Sequence, residues 1–77
     1  ASIFRDYKTT LQEVTQAKMG VTPEYIVVSA TGPDHKKEFQ MLVKVAGKEL
    51  ATAKGKSKKG AQQEAAKIAL DILKKDD

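Results

Sequence analysis

The sequence predicts an α+β fold in the order α-β-β-β-α, with a three-stranded antiparallel sheet and two helices packed on one of its faces. Segments with helical spacing of apolar residues lie at the two ends of the chain, and segments with strand-like alternation lie between them. Short connections between the strands favour a meander with a single apolar face. The length of 77 residues, 40% of them hydrophobic, suits one small domain. We expect a linker or expression remnant over residues 1–5, the domain over residues 6–75 and a tail over residues 76–77.

The first helix is predicted to begin after Asp6, an acceptable N-cap, and to end before Gly20 and Pro23. At about 100° per residue, its apolar side is formed by Tyr7, Leu11, Val14 and the stem of Lys18. The opposite side is polar and carries no lysine or arginine. It consists of Thr9, Gln12, Glu13 and Gln16.

Three strands are predicted in the middle of the chain. The first covers Glu24 to Thr31, which alternates and is rich in β-branched residues. A turn at Gly32-Pro33-Asp34 and a basic loop, His35-Lys36-Lys37, lead into a second strand over about Glu38–Ala46. Gly47 then turns the chain into a weaker third strand over Lys48–Lys54. In the second strand, alternation places Phe39, Met41, Val43 and Val45 on the core face and Gln40, Leu42 and Lys44 on the other.

The second helix is predicted to begin at Lys58, with Ser57 as its N-cap. Its apolar stripe consists of Ala61, Ala65, Ile68 and Ile72, widened by Ala69 and Leu73. Gly60 is unexpected in its first turn, because glycine weakens a helix by about 0.5–1 kcal/mol relative to alanine. The core of the domain is predicted to contain Tyr7, Leu11, Phe39, Val43, Ile68 and Ile72.

The residue inventory argues against catalysis and metal binding. The sequence has no cysteine, its one histidine, His35, lies in a loop, and its carboxylates are scattered. Gly55-Lys56-Ser57 resembles the end of a phosphate-binding loop, but the upstream glycine of that motif would fall at Leu50. We therefore predict neither catalytic nor metal-ligating residues. No apolar run reaches the roughly 20 residues of a membrane span, and the lack of cysteine suits a reducing, cytoplasmic setting.

The net charge of +4 is concentrated in six residues. Residues 1–53 carry seven basic and six acidic groups, residues 54–59 carry four basic groups and no acidic one, and residues 60–77 carry three and four. Lys56, Lys58 and Lys59 lie at the predicted start of a helix, where the helix dipole repels cations and attracts anions. An anionic ligand would offset this repulsion, so the cluster favours nucleic-acid binding over the alternative of a solvated charge run.

The type of nucleic acid can be narrowed by exclusion. The aromatic residues are Phe4, Tyr7, Tyr25 and Phe39, and the last three are assigned to the core. This leaves no exposed stacking surface of the kind that single-strand binders use. Three strands separate the helices, which excludes a helix-turn-helix. A duplex recognised by its shape remains.

Four motifs, in this order and on these elements, resemble a double-stranded RNA-binding domain over residues 6–74. They are the segment from Asp6 to Gln16, Pro23-Glu24-Tyr25, Gly32-Pro33-Asp34-His35, and Gly55 to Ala61 followed by Ala65-Ala66. The combination is most similar to the C-terminal domain of bacterial ribonuclease III.

The resemblance implies three RNA-contacting regions. Thr9, Gln12, Glu13 and Gln16 would enter one minor groove, and Pro33 and His35 would enter the next. Lys56, Lys58 and Lys59 would contact phosphates across the intervening major groove. Three positions depart from the family. Gln62 stands where lysine is common, which would weaken one phosphate contact, Ala53 replaces a common glycine ahead of Gly55, and Gly60 departs as well.

The resemblance also implies the activity of this chain in the absence of the rest of its parent protein, a ribonuclease III. The acidic catalytic motifs of ribonuclease III belong to a separate domain, so the chain is expected to bind double-stranded RNA and not to cleave it. No cofactor is expected here, magnesium is expected only for the nuclease domain, and the parent is expected to be a homodimer through that domain. No membrane or small-molecule partner is expected. Two other interpretations stay open: a protein-protein adaptor or dimerisation module with the same fold, and a working part of an enzyme.

Overall fold

The five predicted elements form in the predicted order in the computed structural model, which describes residues 6–75. The helices are α1 (Tyr7–Met19) and α2 (Lys58–Lys75). The strands are β1 (Glu24–Thr31), β2 (Glu38–Val45) and β3 (Lys48–Gly55). A short 3-10 helix (Asp34–Lys36) lies between β1 and β2. The predicted linker over residues 1–5 and the predicted tail over residues 76–77 lie outside the described residues.

The strands form one antiparallel sheet in the order β1-β2-β3. Tyr25, Val43 and Ala51 are paired across the face that the helices cover, whereas Ile26, Leu42 and Thr52 are paired on the opposite face. Leu42 lies outward as predicted, but its position in the central strand leaves it only 9% exposed.

Strand β2 ends one residue earlier than predicted because the hairpin turn begins at Ala46. Ala46 and Gly47 have φ values of 54° and 78°, the left-handed conformations that a two-residue hairpin turn requires at both positions. Strand β3 continues one residue beyond the prediction, through Gly55. Ala53, the departure from the family pattern, pairs with Met41 within the regular strand and does not disturb the entry to α2.

Both predicted helix caps are confirmed. Asp6 Oδ1 accepts a hydrogen bond from the backbone N–H of Thr9 at 3.2 Å, and Asp6 Oδ2 accepts one from the Thr9 hydroxyl at 2.7 Å. Ser57 Oγ accepts a hydrogen bond from the backbone N–H of Gly60 at 2.9 Å. Helix α1 ends at Gly20, whose φ of 69° is favourable for glycine.

The core lies between the helices and the covered face of the sheet. Its fully buried apolar residues are Leu11, Met41, Val43, Ala61, Ala65, Ala66 and Ala69. Small alanine side chains allow α2 to approach the strands closely. Tyr7, Phe39 and Ile72, which were predicted to be core residues, are partly buried against this cluster.

The prediction of Ile68 as a core residue is wrong, because this side chain is 39% exposed. Ala66, which lies outside the predicted stripe, is fully buried, so the buried arc of α2 is rotated toward Ala66 and away from Ile68. The rotation follows from packing on two neighbours, since Leu70 and Leu73 also contact the core cluster. Ile68 is left at the margin of this arc.

Within residues 6–75, no helix has the length and apolar character needed to cross a membrane.

Candidate nucleic-acid interface

The polar face of α1 is fully presented to solvent. Thr9, Gln12, Glu13 and Gln16 are all exposed. Leu11 and Thr15 on the other side of the helix are 0% exposed, which fixes the rotation of α1 about its axis. Thr15 was not expected in the core. Its hydroxyl donates to the carbonyl of Gln12 at 3.2 Å, so burial leaves no unpaired donor.

Thr9 has a hydrogen-bonding role in the helix cap that leaves it available to a ligand. Its hydroxyl hydrogen is donated to Asp6, so the lone pairs of its oxygen remain as acceptors. The exposed face of α1 thus offers acceptor oxygens, glutamine amides and one carboxylate, without a cation. Such a face suits hydroxyl donors better than phosphates.

The loop between β1 and β2 is a compact turn. Gly32 has a φ of 98°, and a Cβ at this position would lie 2.7 Å from the carbonyl oxygen of Lys36, so glycine is required. The backbone N–H of Lys36 donates to the carbonyl of Pro33 at 2.8 Å, which closes the 3-10 turn. Pro33 and His35 are both exposed on this turn.

The predicted lysine cluster lies on and just before the first turn of α2. Lys56, Lys58 and Lys59 are exposed, and the first turn carries no acidic residue. In the part of the chain from residue 6 to residue 75, no carboxylate lies within ion-pair distance of their ammonium groups. Their positive charge is therefore available to an anionic ligand.

Two surface depressions show which predicted residues the fold brings together. The first, about 290 Å³ in volume, is lined by Thr9, Gln12 and Lys59, together with Asp6, Lys8, Pro23, Tyr25 and Gln63. The second, about 810 Å³, is lined by His35 and Lys56 with the remainder of the loop and its flanking strand ends. The lysine cluster thus connects the α1 face with the loop. Glu13, Gln16, Pro33 and Lys58 are exposed but line neither depression.

Gln63 holds the start of α2 against the start of α1, a role that the sequence analysis missed. Gln63 Oε1 accepts the backbone N–H of Tyr7 at 2.8 Å, and Gln63 Nε2 donates to Asp6 Oδ1 at 2.9 Å. These hydrogen bonds from Gln63 and Thr9 lower the pKa of Asp6 from 3.8 to about 2. The Asp6–Gln63 pair lines the same depression as Lys59, Thr9 and Gln12.

Lys8 and Tyr25 line the first depression and were also not predicted to be site residues. Lys8 Nζ lies 5.1 Å from the centre of the Tyr25 ring. The Tyr25 hydroxyl is buried without a hydrogen-bond partner among the described residues. Burial, reinforced by the negative charge of Asp6, raises the pKa of Tyr25 to about 12.

Within residues 6–75, no three carboxylate or imidazole groups cluster in a way that could hold a metal ion.

Comparisons with known proteins find matches over nearly the whole chain. A family model described as the double-stranded RNA binding motif matches residues 7–73. Ribonuclease 3 of Wolinella succinogenes is 65% identical over 72 residues, which are 94% of this chain and 30% of that protein. Ribonuclease 3 of a Sulfurovum species is 62% identical over 74 residues, which are 96% of this chain and 33% of that protein. The chain therefore spans about a third of the length of these curated relatives.

Solved structures share the fold. The structure of Dicer from Pichia stipitis matches with a TM-score of 0.71 and 27% identity, over 92% of this chain and 34% of that one. The solution structure of both double-stranded RNA-binding domains of DRB4 with their linker matches with a TM-score of 0.72 and 34% identity, over 97% of this chain and 48% of that one.

Proposed function

This chain belongs to the double-stranded RNA-binding motif family, and we propose that it binds duplex RNA as the substrate-binding part of a ribonuclease III. The family match over residues 7–73 confirms the resemblance inferred from the sequence motifs. The similarity to the two bacterial ribonucleases covers about a third of their length. RNA cleavage, its magnesium ions and dimerisation are accordingly proposed for other parts of such a protein.

The observation that carries the proposal is the pairing of a cation-free polar face with an exposed lysine cluster. The face is Thr9, Gln12, Glu13 and Gln16, and Lys59 borders the same depression as its first two residues. An A-form duplex presents 2′-hydroxyls in a wide, shallow minor groove, with phosphates along its margins. The α1 face suits the hydroxyls, and the lysines suit the phosphates.

Each contacting region has a proposed role. The face of α1 would enter one minor groove, and Pro33 and His35 would enter the next. Lys56, Lys58 and Lys59 would contact the phosphates between them, because these lysines lie between the two regions and are exposed. An adaptor that binds only proteins does not require an exposed cluster of unpaired lysines, whereas an RNA-binding domain does. RNA binding is therefore the better interpretation.

The test is a titration of the 77-residue chain with labelled duplex RNA, duplex DNA and single-stranded RNA of one sequence at one salt concentration. We expect duplex RNA to bind most tightly, because it alone combines A-form shape with 2′-hydroxyls. Equal binding of single-stranded and duplex RNA would contradict the proposal. Incubation with long duplex RNA and magnesium should leave the RNA intact, whereas cleavage would contradict the assignment of the reaction to other parts of the protein.

A further inference from the structure

We propose that Lys8 is an additional phosphate-contacting residue and that Gln62 and Tyr25 position its ammonium group beside Lys59. This inference rests on the proposed function. Lys8 was not predicted to lie in the RNA-binding surface. Its side chain differs from those of the lysine cluster because contacts within the fold hold it in place.

Two contacts fix the position of the ammonium group. Lys8 Nζ donates to Gln62 Oε1 at 2.5 Å, a hydrogen bond from α1 to α2. The same nitrogen lies 5.1 Å from the centre of the Tyr25 ring. The stem of Lys8 is partly buried, so the side chain has already lost much of the rotamer freedom that a free surface lysine would lose on binding.

The charge of Lys8 remains available to an anion. Its two partners, an amide oxygen and an aromatic ring, are both neutral. The acidic residue that lines the same depression is Asp6, and its oxygens accept hydrogen bonds from Thr9 and Gln63. An ammonium group has three donors, and Gln62 uses one of them. The remaining donors can reach a ligand in the depression.

The location of Lys8 indicates which part of the duplex it would contact. Lys8 shares its depression with Thr9 and Gln12 of the α1 face and with Lys59 of the lysine cluster. A minor groove that covers Thr9 and Gln12 must bring its flanking phosphates over the same depression. Lys8 would therefore contact a phosphate at the margin of the groove that α1 enters.

The test measures the dependence of duplex-RNA affinity on salt. Each phosphate contact contributes a slope of about 0.9 in log affinity against log salt for duplex DNA, and we expect Lys8→Gln to lower the slope by about this amount. The matched control is Lys67→Gln. Lys67 Nζ lies 5.9 Å from the centre of the Tyr7 ring, a similar contact, but it lines a different groove that contains none of the predicted RNA-binding residues. The control should leave the slope unchanged.

A double variant tests the position of the charge. Because Lys8 Nζ contacts the end of Gln62, exchanging the two residues in Lys8→Gln/Gln62→Lys returns an ammonium group to the same point from the opposite helix. We expect this exchange to restore the wild-type slope, and Gln62→Lys alone, which adds a cation where the family commonly has lysine, to raise the slope above that of the wild type. Lys8→Met, which keeps an apolar stem against Tyr25, should show the same loss as Lys8→Gln, and it carries the test if the glutamine variant does not fold.

The outcomes separate this inference from the proposed function. An unchanged slope in Lys8→Gln or Lys8→Met, or an equal loss in Lys67→Gln, would overturn the assignment of Lys8. Failure of the exchange to restore the slope would overturn the positioning by Gln62. If the wild-type chain does not prefer duplex RNA, the proposed function itself fails. These results are read from different proteins, so one failure cannot be mistaken for the other.

Discussion

Glu13 is the residue of the proposed interface that simple electrostatics explains least. Its carboxylate is exposed on the face of α1, between Gln12 and Gln16, where phosphates of a bound duplex would repel it. An ionised carboxylate only accepts hydrogen bonds, and the ribose 2′-hydroxyl of RNA is a donor that DNA lacks. A charge-assisted hydrogen bond contributes about 1.5–3 kcal/mol. We expect this contribution to outweigh the repulsion that remains after screening by salt.

We therefore expect Glu13→Ala to weaken duplex-RNA binding and to leave weak duplex-DNA binding unchanged or slightly improved. The measurement is a paired titration of both duplexes at one salt concentration. Glu64→Ala is the control, because Glu64 is exposed on α2, outside both depressions, and its removal changes the net charge equally. If Glu13→Ala binds RNA as well as the wild type, the α1 face does not select RNA through this carboxylate.

Asp6 gives a prediction for the pH dependence of stability. Hydrogen bonds from Gln63 and then Thr9 lower its pKa from 3.8 to about 2 in the folded chain. A lowered carboxyl pKa stabilises the fold above the unfolded pKa of 3.8, and this contribution is lost as the pH falls through about 2. Asp6→Asn keeps a capping oxygen but has no charge to titrate.

Thermal unfolding of the wild type and Asp6→Asn should therefore differ at about pH 6 and converge near pH 2. The wild type should be the more stable of the two at the higher pH. Other carboxylates titrate in both proteins and cancel in the comparison. A difference in unfolding temperature that does not change with pH would show that the ionised form of Asp6 is not preferentially stabilised.

At the scale of the elements, the first turn of α2 combines a cap with two lysines that the helix dipole disfavours. Each of Lys58 and Lys59 contributes to the salt dependence if it contacts a phosphate. We expect Lys58→Ala and Lys59→Ala each to weaken binding to all duplex sequences and to reduce the salt slope by about one. Lys75→Ala, at the exposed far end of α2, is the control. Unchanged slopes in both variants would place the phosphate contacts elsewhere.

The junction between β3 and α2 depends on a close backbone approach at Gly55. A Cβ at Gly55 would lie 2.6 Å from the backbone nitrogen of Ala61 and 2.9 Å from its Cα. Neither atom can move without displacing α2. We expect Gly55→Ala to destabilise the domain by about 1–3 kcal/mol, the usual cost of overpacking, as measured by denaturant or thermal unfolding.

Gly60→Ala is the matched comparison in the same turn. Alanine gains about 0.5–1 kcal/mol of helix propensity, but its Cβ would lie 3.1 Å from the capping Ser57 Oγ. The two effects oppose each other, so we expect little net change in stability. This crowding also explains why glycine is accommodated in a helical first turn. Equal effects of the two substitutions would contradict the importance of the approach at Gly55.

The elements could be predicted from sequence because their signals are local. Strand alternation is read over a few residues. Capping and turn residues such as Asp6, Ser57 and Gly47 determine the backbone conformation only of residues a few positions away. The rotation of α2 could not be predicted, because it depends on packing against both the sheet and α1, and Ile68 was misplaced for that reason. The contacts of Gln63 and Lys8 join residues 54 to 57 positions apart. Such pairs of polar residues leave no periodic signal in a sequence.

The exposure of the candidate site residues was predictable to a similar extent. All nine predicted contact residues are exposed, and the fold brings five of them to the two depressions. The exposure of these residues follows from the hydrophobic pattern. Burial of Leu11 against the core turns the opposite, polar side of α1 toward solvent. The neighbours of the site do not follow from that pattern, which is why Lys8 and Gln63 emerge only from the folded structure.

At the scale of the whole molecule, the lysine cluster borders both of the other proposed contacting regions. The α1 face borders Lys59 in one depression, and the His35 loop borders Lys56 in the other. Affinity for a long duplex should therefore be the combined result of two groove contacts linked through the lysine cluster. A duplex too short to offer both grooves would lose one of the contacts while the lysines continued to bind phosphates.

Domains of this family span about 16 base pairs and contact two successive minor grooves. If α1 and the His35 loop occupy successive grooves, a duplex of about 8 base pairs, half of that span, should bind much more weakly per site than one of 16 or more. His35→Ala should then weaken binding to the long duplex and barely affect the short one, because the short duplex cannot reach the loop and α1 together. Glu13→Ala should weaken both, since α1 can engage either length. Titrations of the two variants with both duplexes provide the measurement, and an equal loss from His35→Ala on both lengths would mean that the loop does not reach a second groove.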